Sequence, residues 1–385
     1  MKELQDIIVA WKQLQNANET AALATLVKVE GSAYRRPGAR MLVTSKEHIG
    51  TISGGCLEND VVEQSQVVLE TGRPTLVKYD TTNEDDLIWG LGLGCQGVAY
   101  ILIERLEPKQ ANALNVIEQC FSTRRAGAVA TIFNTKDADS LEKGDRPLHS
   151  SKNCILLSPD GSICSTIANY QLEKLVLRDL RLVLQQKRSA TQVYSFSGST
   201  AEVFLEVIQA PVSLVVFGAG FDVLPVVHFA KALGWRVTLI DPQARSQTIE
   251  RFKRCDRVIL DSVERATLQI EYDARTVAVV MSHNYLSDLE FLQTLDNVPL
   301  KYLGILGPKK RTNRLLQDLK YEDRSLPKQL YSPVGLDIGA DNPESIALSI
   351  IAEIQAVMHD RQGGFLKDRP TSIHSDASNC ILSNQ

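Results

Sequence analysis

Nowhere in these 385 residues do about 18 apolar residues follow one another, the run a membrane-spanning helix needs. The opening MKELQDIIVAWKQLQ is interrupted by Lys2, Glu3, Asp6 and Lys12, so no signal-peptide apolar region forms there. A soluble cytoplasmic protein with no membrane partner is expected. A basic excess is also missing, since 42 Lys plus Arg stand against 46 Asp plus Glu for a net charge of -4. Such a chain does not neutralise a phosphate backbone, and nucleic acid is not expected as a partner. The seven cysteines, at 56, 95, 120, 154, 164, 255 and 380, contain no C-x-x-C pair and no histidines at zinc spacing. Neither a disulfide framework nor a structural zinc site is expected. With Asp160 and Gly161 as the central pair of a turn, Cys164 faces Leu157 and Cys154 faces Ile167, and only a bulged turn would shift that register.

What is present is 44% hydrophobic and 23% charged, enough for two or three domains that each bury a core. The fold class read from the pattern is α/β, with an N-terminal mixed α/β domain (1–209), a Rossmann-like doubly wound parallel-sheet domain (210–362) and a mobile tail (363–385). In the first half, strand-like runs at 24–31, 40–44, 49–53 and 99–104 surround a helix from Leu57 and imply some antiparallel pairing. Helices at 111–124 and 171–187 bracket strands at 128–133 and 154–167, and EVFLEVI (202–208) closes the domain. From Ser213 apolar runs alternate with helices, the mark of a parallel sheet buried on both faces. Either Asn342 or Asp341 caps the last helix, which starts at Pro343.

In the second half Gly218-Ala219-Gly220 follows an apolar strand and precedes a helix, with Asp241 at the end of the next strand. Gly218 permits the tight turn, Gly220 lets the backbone approach a pyrophosphate, and Asp241 can accept from a ribose diol. Val223 stands where a third glycine is usual, and Asp222 brings negative charge to the phosphate position. A scaffold that keeps the turn without binding nucleotide is the plainer alternative. His283, Lys309 and Arg311 follow other strands and should face the same crevice, whereas His228 lies inside a helix and reads as packed.

In the first half Arg35, Arg36 and Arg40 surround the Pro37-Gly38 turn, and arginine forks suit phosphate or carboxylate. Cys56 follows Gly54-Gly55 and precedes Glu58 at a helix start, where free amides and the positive helix end favour thiolate. Cys95 sits in a second glycine loop, GLGLGCQG (90–97). Cys120, Cys154, Cys164 and Cys255 read as small buried residues.

These motifs together resemble the XdhC/CoxI family, the xanthine dehydrogenase accessory proteins that handle the molybdenum cofactor. The resemblance rests on GSAYRRPGARMLV (31–43), GTISGGCLEND (50–60), GLGLGCQG (90–97), VVFGAG (215–220), GWRVTLIDPQAR (234–245), VVMSHNYLSD (279–288), YLGILGPKKRTNRL (302–315) and GLDIGADNPESIALSIIAEI (335–354). Gln96 departs from the family's frequent G-C-G-G, and Phe221-Asp222 from its frequent histidine. The resemblance implies binding of molybdopterin-type molybdenum cofactor, protection of it during sulfuration by a cysteine desulfurase, and delivery to a molybdenum hydroxylase of the xanthine dehydrogenase type. It implies a chaperone more than a turnover enzyme, and a homo-oligomer such as a dimer is expected. Cys56 and Cys95 are the candidate contacts to molybdenum or sulfur, with Gly54, Gly55 and Glu58 around the first and Arg35, Arg36 and Arg40 near an anionic group. Gly218, Gly220, Asp241, His283, Lys309 and Arg311 would complete one site built from both halves. The rival readings are an NAD(P)-dependent oxidoreductase with His283 as proton donor and a non-catalytic nucleotide sensor.

Overall fold

Residues 1–81, 97–137, 153–243, 245–296, 298–319, 329–370 and 373 are described by the structure, a computed structural model. They divide into two compact units, one of residues 3–210 and one of Pro211–Pro370 with Met1 and Lys2.

The first unit opens with α1 (Lys2–Ala17), whose Ile7, Ile8 and Trp11 are buried. Strands β1 (Ala21–Gly31), β2 (Arg40–Val43) and β3 (His48–Gly50) precede α2 (Glu58–Thr71), and β4 (Thr75–Asp80) and β5 (Gly97–Leu106) follow it. These strands form a sheet in the order β3-β2-β1-β5-β4. Next come α3 (Ala113–Thr123), β6 (Gly127–Asp137), β7 (Cys154–Leu157), β8 (Ile163–Ser165), α4 (Tyr170–Gln186), β9 (Ala190–Phe196) and β10 (Ser199–Ile208). Their sheet runs β8-β7-β6-β10-β9. Pairing in both sheets is antiparallel throughout the described strands, more than the mixture the sequence suggests.

Because side chains alternate along a strand, each sheet has two apolar faces to cover. Ala22, Ala24 and Leu26 of β1 pack with Ile101 and Ile103 of β5 against Val61 and Val68 of α2. Ala128, Ala130 and Ile132 of β6 pack against Leu172, Val176 and Leu180 of α4. The intervening positions Val27, Leu102, Phe133 and Phe204 meet between the sheets. The layers are therefore α2, first sheet, second sheet, α4. Each of the valine, leucine, isoleucine and phenylalanine side chains among them, fully buried, contributes about 1.5–3 kcal/mol.

The second unit contains β11 (Ser213–Phe217), α5 (Val223–Ala232), β12 (Arg236–Ile240), α6 (Ser246–Arg251), β13 (Arg257–Ile259), α7 (Val263–Leu268) and β14 (Thr276–Val280). It continues with α8 (Tyr285–Leu295), β15 (Tyr302–Ile305), α9 (Lys309–Asp318), β16 (Leu330–Tyr331) and α10 (Pro343–Met358). All six strands are parallel, in the order β13-β12-β11-β14-β15-β16. Leu214 and Val216 face Val226 of α5 and Ile350 of α10, while Val215 and Phe217 face Phe291 of α8 and Leu315 of α9. This is the Rossmann-like arrangement, and its strand order reverses between β11 and β14, where such sheets open a crevice. Asn342 is the cap of α10, accepting from Ser345 N–H at 2.9 Å while Ser345 Oγ accepts from Asn342 N–H.

The stretch expected as a tail includes a 3-10 turn at Leu366–Asp368, and 371–372 and 374–385 lie outside the described residues. Among the described residues no helix is long and apolar enough to cross a membrane.

Candidate functional site

Cys56 sits on an exposed bend whose shape is set by two buried neighbours, Ser53 and Glu58. Ser53 Oγ accepts from the amides of Gly55, Cys56 and Leu57 at 3.1–3.2 Å. It donates in turn to Glu58 Oε2 at 2.6 Å. The Glu58 carboxylate also accepts from the amides of Ile52 (3.1 Å), Ser53 (2.8 Å) and Leu57 (3.2 Å). Burial opposes ionisation of Glu58, but the hydrogen bonds from Ser53 and from Ile52 outweigh it and lower its pKa. Glu58, expected beside the ligand, is thus the anchor of the loop and not its surface.

The amides expected to face the thiol are engaged by this clasp. What remains for Cys56 is a fixed position and a weak S–H bond to Ser53 Oγ at 3.4 Å. Gly55 has φ +109 and open space where a Cβ would stand. A Cβ on Gly54 would lie 3.7 Å from the ring of Tyr34, which is 69% exposed. One soft donor, an open glycine surface and a neighbouring aromatic ring fit a thiol contact to molybdenum or sulfur on a flat ligand. Cys95 lies outside the described residues.

The three arginines read as a set are separated by the fold. Arg35 holds both oxygens of Glu3 on α1 and donates to Thr51 Oγ1 at 2.9 Å, while Arg36 is exposed. Arg40 points between the two sheets, 2% exposed, and is forked onto Glu206 of β10. Placed there, Arg40 cannot reach a ligand at the Cys56 loop surface, a correction to its expected role. The cause is strand parity, since Arg40 and Leu42 share the inward face while Met41 and Val43 face α2.

Thiol environments differ sharply. Cys120 is buried, and burial pushes its thiol up to about 12, as it does for half-buried Cys255. Burial and the charge of Glu104 push Cys154 up to about 11. Cys164, expected to be buried, is exposed with Cys56. The observed register pairs Leu156 with Cys164 and not Leu157, so Cys154 and Cys164 share one face as a diagonal pair. Alkylation by iodoacetamide at pH 8, followed by peptide mass spectrometry, should therefore label Cys56 and Cys164 first. Cys120 should react at least about 100-fold more slowly, because a thiol near 12 is roughly one part in ten thousand ionised at that pH. Labelling of Cys120 as fast as Cys56 would contradict the assigned burial.

In the second unit the crevice residues cluster as their strand ends require. Gly218 has φ +116, and a Cβ there would stand 2.6 Å from Met281 O and 2.7 Å from Ser282 Cα. Glycine is needed by the adjacent strand end, whatever binds. Gly218→Ala should cost about 1–3 kcal/mol from backbone strain alone, read by urea denaturation of the whole chain. A Cβ on Gly220 would meet Asp222 Oδ1 at 2.3 Å, so the Asp222 carboxylate already covers this glycine. His283, at φ +58, places Nε2 2.7 Å from Asp222 Oδ2. Arg251 donates to Ala219 O at 2.6 Å and lies over the Phe221 ring. Asp241 accepts from Gln243 N–H at 2.9 Å. Arg311 donates to Asp288 at 2.5 Å, and Asp288 accepts from Ser282 Oγ. Lys309 is exposed, with no ion pair to a described acid. His228 is exposed and 2.8 Å from Arg254 Nη1, contrary to its expected packing.

Similarities to known proteins follow this division. Residues 14–80 match the XdhC and CoxI family, and residues 214–354 match the XdhC Rossmann domain. A Bacillus subtilis (strain 168) protein, described as a probable subunit of xanthine dehydrogenase, is 32% identical over 337 residues, covering 87% of this chain and 92% of its own. The Escherichia coli (strain K12) "Molybdenum cofactor insertion chaperone PaoD" is 23% identical, over 90% of this chain and 86% of its own. Among solved structures, one described as a xanthine dehydrogenase from Bacillus halodurans superposes with a TM-score of 0.71 at 28% identity, covering 94% of this chain and 98% of that one.

Proposed function

Because the chain belongs to the XdhC and CoxI family, we propose that it is a molybdenum cofactor accessory protein. In this reading it holds the cofactor while a cysteine desulfurase supplies the terminal sulfur and then delivers it to a molybdenum hydroxylase of the xanthine dehydrogenase type. The similarity to a molybdenum cofactor insertion chaperone supports the cargo. The observation that carries it in this molecule is the exposed Cys56 thiol on a loop fixed by Ser53 and Glu58. The cofactor would bring molybdenum and its sulfur ligands. The chain's own part is to present one soft thiol at a fixed place, with glycine surface close by and Tyr34 beside it. A fixed thiol binds without the entropy cost of ordering a loop, which favours retention.

The test is mass spectrometry of small molecules released from protein purified out of a cofactor-producing host. A molybdenum-bearing pterin from the wild type and loss of the molybdenum from Cys56→Ala, with unchanged thermal unfolding, are the expected results. No molybdenum-bearing pterin from the wild type would overturn the reading, and molybdenum retained by Cys56→Ala would move the contact elsewhere.

A scaffold role for the second unit is favoured by Asp222, whose carboxylate lies over Gly220. A pyrophosphate there would meet like charge, a repulsion worth about 1–2 kcal/mol at partly solvated sites. In calorimetry with NAD, Asp222→Ala should therefore bind about tenfold more tightly than the wild type. Tight binding by the wild type, unimproved in the variant, would restore Asp241 and Gly220 to nucleotide roles.

A further inference from the structure

Between the two sheets of the first unit lies a cavity of about 220 Å3 that the Cys56 loop does not line. Its origin is legible in three strands. Val27, Leu102, Phe133 and Phe204 fill one layer between the sheets, but two residues away the inward positions are Thr25, Glu104 and Thr131. These leave space that the phenylalanine layer closes. Buried Thr25 and Arg40 lie inside, Leu23, Leu106, Val129 and Leu156 supply apolar walls, and the exposed residues Cys164 and Thr166 belong to the edge hairpin. Apolar walls with a few convergent polar groups are the usual makeup of a small-molecule site.

One group in this cavity is left incomplete by the fold. Glu104 is half-buried, and no described residue donates a hydrogen bond to its carboxylate. Burial, only partly offset by the Arg40 charge, pushes it up to about 7. Other charges nearby are already matched, Arg40 with Glu206 and Arg105 with Glu107 at 3.0 Å. Arg40, 2% exposed, lines the same cavity and brings a positive charge to its wall. A lone carboxylate asks for N–H donors, and a positive charge favours a carbonyl oxygen.

The geometry points to a second binding site in this cavity, for a small planar heterocycle that presents an amidine-type N–H pair next to a carbonyl. The N–H pair would fork onto Glu104, as guanidinium groups fork onto carboxylates, and the carbonyl would lie on the Arg40 side. Pterins and guanine share this edge. The space is below the 300–1,000 Å3 typical of drug-sized ligands, which suits one bicyclic ring. The site stands apart from the Cys56 loop and is measured on protein free of molybdenum.

Titration of cofactor-free protein with pterin and with guanine, followed by calorimetry, tests it. At least one should bind the wild type, with Glu104→Gln weakening it tenfold or more and Cys56→Ala leaving it unchanged. Lumazine, which carries a carbonyl in place of the pterin amino group, should bind at least tenfold more weakly than pterin if pterin is the tighter ligand. Preference for guanine over pterin would support the edge and assign it to a purine. Gln is isosteric with Glu and removes an unpaired carboxylate, so thermal unfolding of the variant at pH 8 should be no lower than that of the wild type. Failure of both ligands to bind, or wild-type affinity in Glu104→Gln, would overturn the site without touching the cofactor reading.

Discussion

Arg40→Met should lower the unfolding free energy of the first unit by about 3–5 kcal/mol, because it strands the buried Glu206 carboxylate without its partner. Arg40 Nη1 lies 2.8 Å from Glu206 Oε1 and 3.1 Å from Gly38 O, and Nη2 bonds the second carboxylate oxygen. The pair ties β2 of one sheet to β10 of the other. Both groups are withdrawn from bulk solvent, since Arg40 is 2% and Glu206 7% exposed. Even the turn before β2 is fitted to it: a Cβ on Gly38, at φ +97, would stand 2.8 Å from Glu206 Oε1. The cost is that of a widowed charge and not the net worth of the bridge, so the double variant Arg40→Met, Glu206→Leu should recover most of the loss. Urea unfolding of the wild type, the single variant and the double variant separates these. A single variant within about 1 kcal/mol of the wild type, as surface pairs give, would show that water reaches the pair.

The same pair shows where reading the sequence stops. Three arginines around Pro37-Gly38 look alike in one dimension, and nothing local says that Arg40 opens an inward strand position. Its partner is 166 residues away. The parallel sheet of the second unit is readable because strands buried on both faces run apolar without alternation, as LVVF after Ser213 and VAVV after Thr276 do. Strands β4 and β9 escape notice because TLVKYD and ATQVYSF, at sheet edges, are only partly buried and show no clean alternation. The α7 and β16 segments, of 6 and 2 residues, are too short to show a period. Cys164 differs from expectation by one register step, which moves a side chain to the other face of a sheet. Glu104 does carry a signal, a lone acid at an inward position of AYILIE, but inward becomes meaningful only once the second sheet is known to cover that face.

Glu58→Gln should release the Cys56 loop at a cost of about 3 kcal/mol, read as roughly 100-fold faster hydrogen exchange at Ile52, Ser53 and Leu57. The carboxylate accepts four hydrogen bonds, two on each oxygen, from three amides and the Ser53 hydroxyl. An amide side chain fits the same space but turns one oxygen into an NH2, so two donors face a donor whichever way it is flipped. Ser53 Oγ cannot repair this, because it already accepts from Gly55, Cys56 and Leu57. The pH dependence has a definite sign. Glu58 has a folded pKa below its unfolded value near 4.5, so its contribution is complete above that value and is lost as pH falls through the lower folded pKa. Protection of these three amides in the wild type, taken relative to the intrinsic exchange rate at each pH, should hold down to pH 5 and fall only in stronger acid, whereas the variant should show no such acid step. If the loop sets the thiol for its ligand, Glu58→Gln should lose the cofactor although Cys56 is intact, and bound molybdenum measured beside Cys56→Ala checks that link. Fast exchange with full retention would mean that the cofactor orders the loop on binding, and that Ser53 and Glu58 serve the fold of α2 and not the presentation of Cys56.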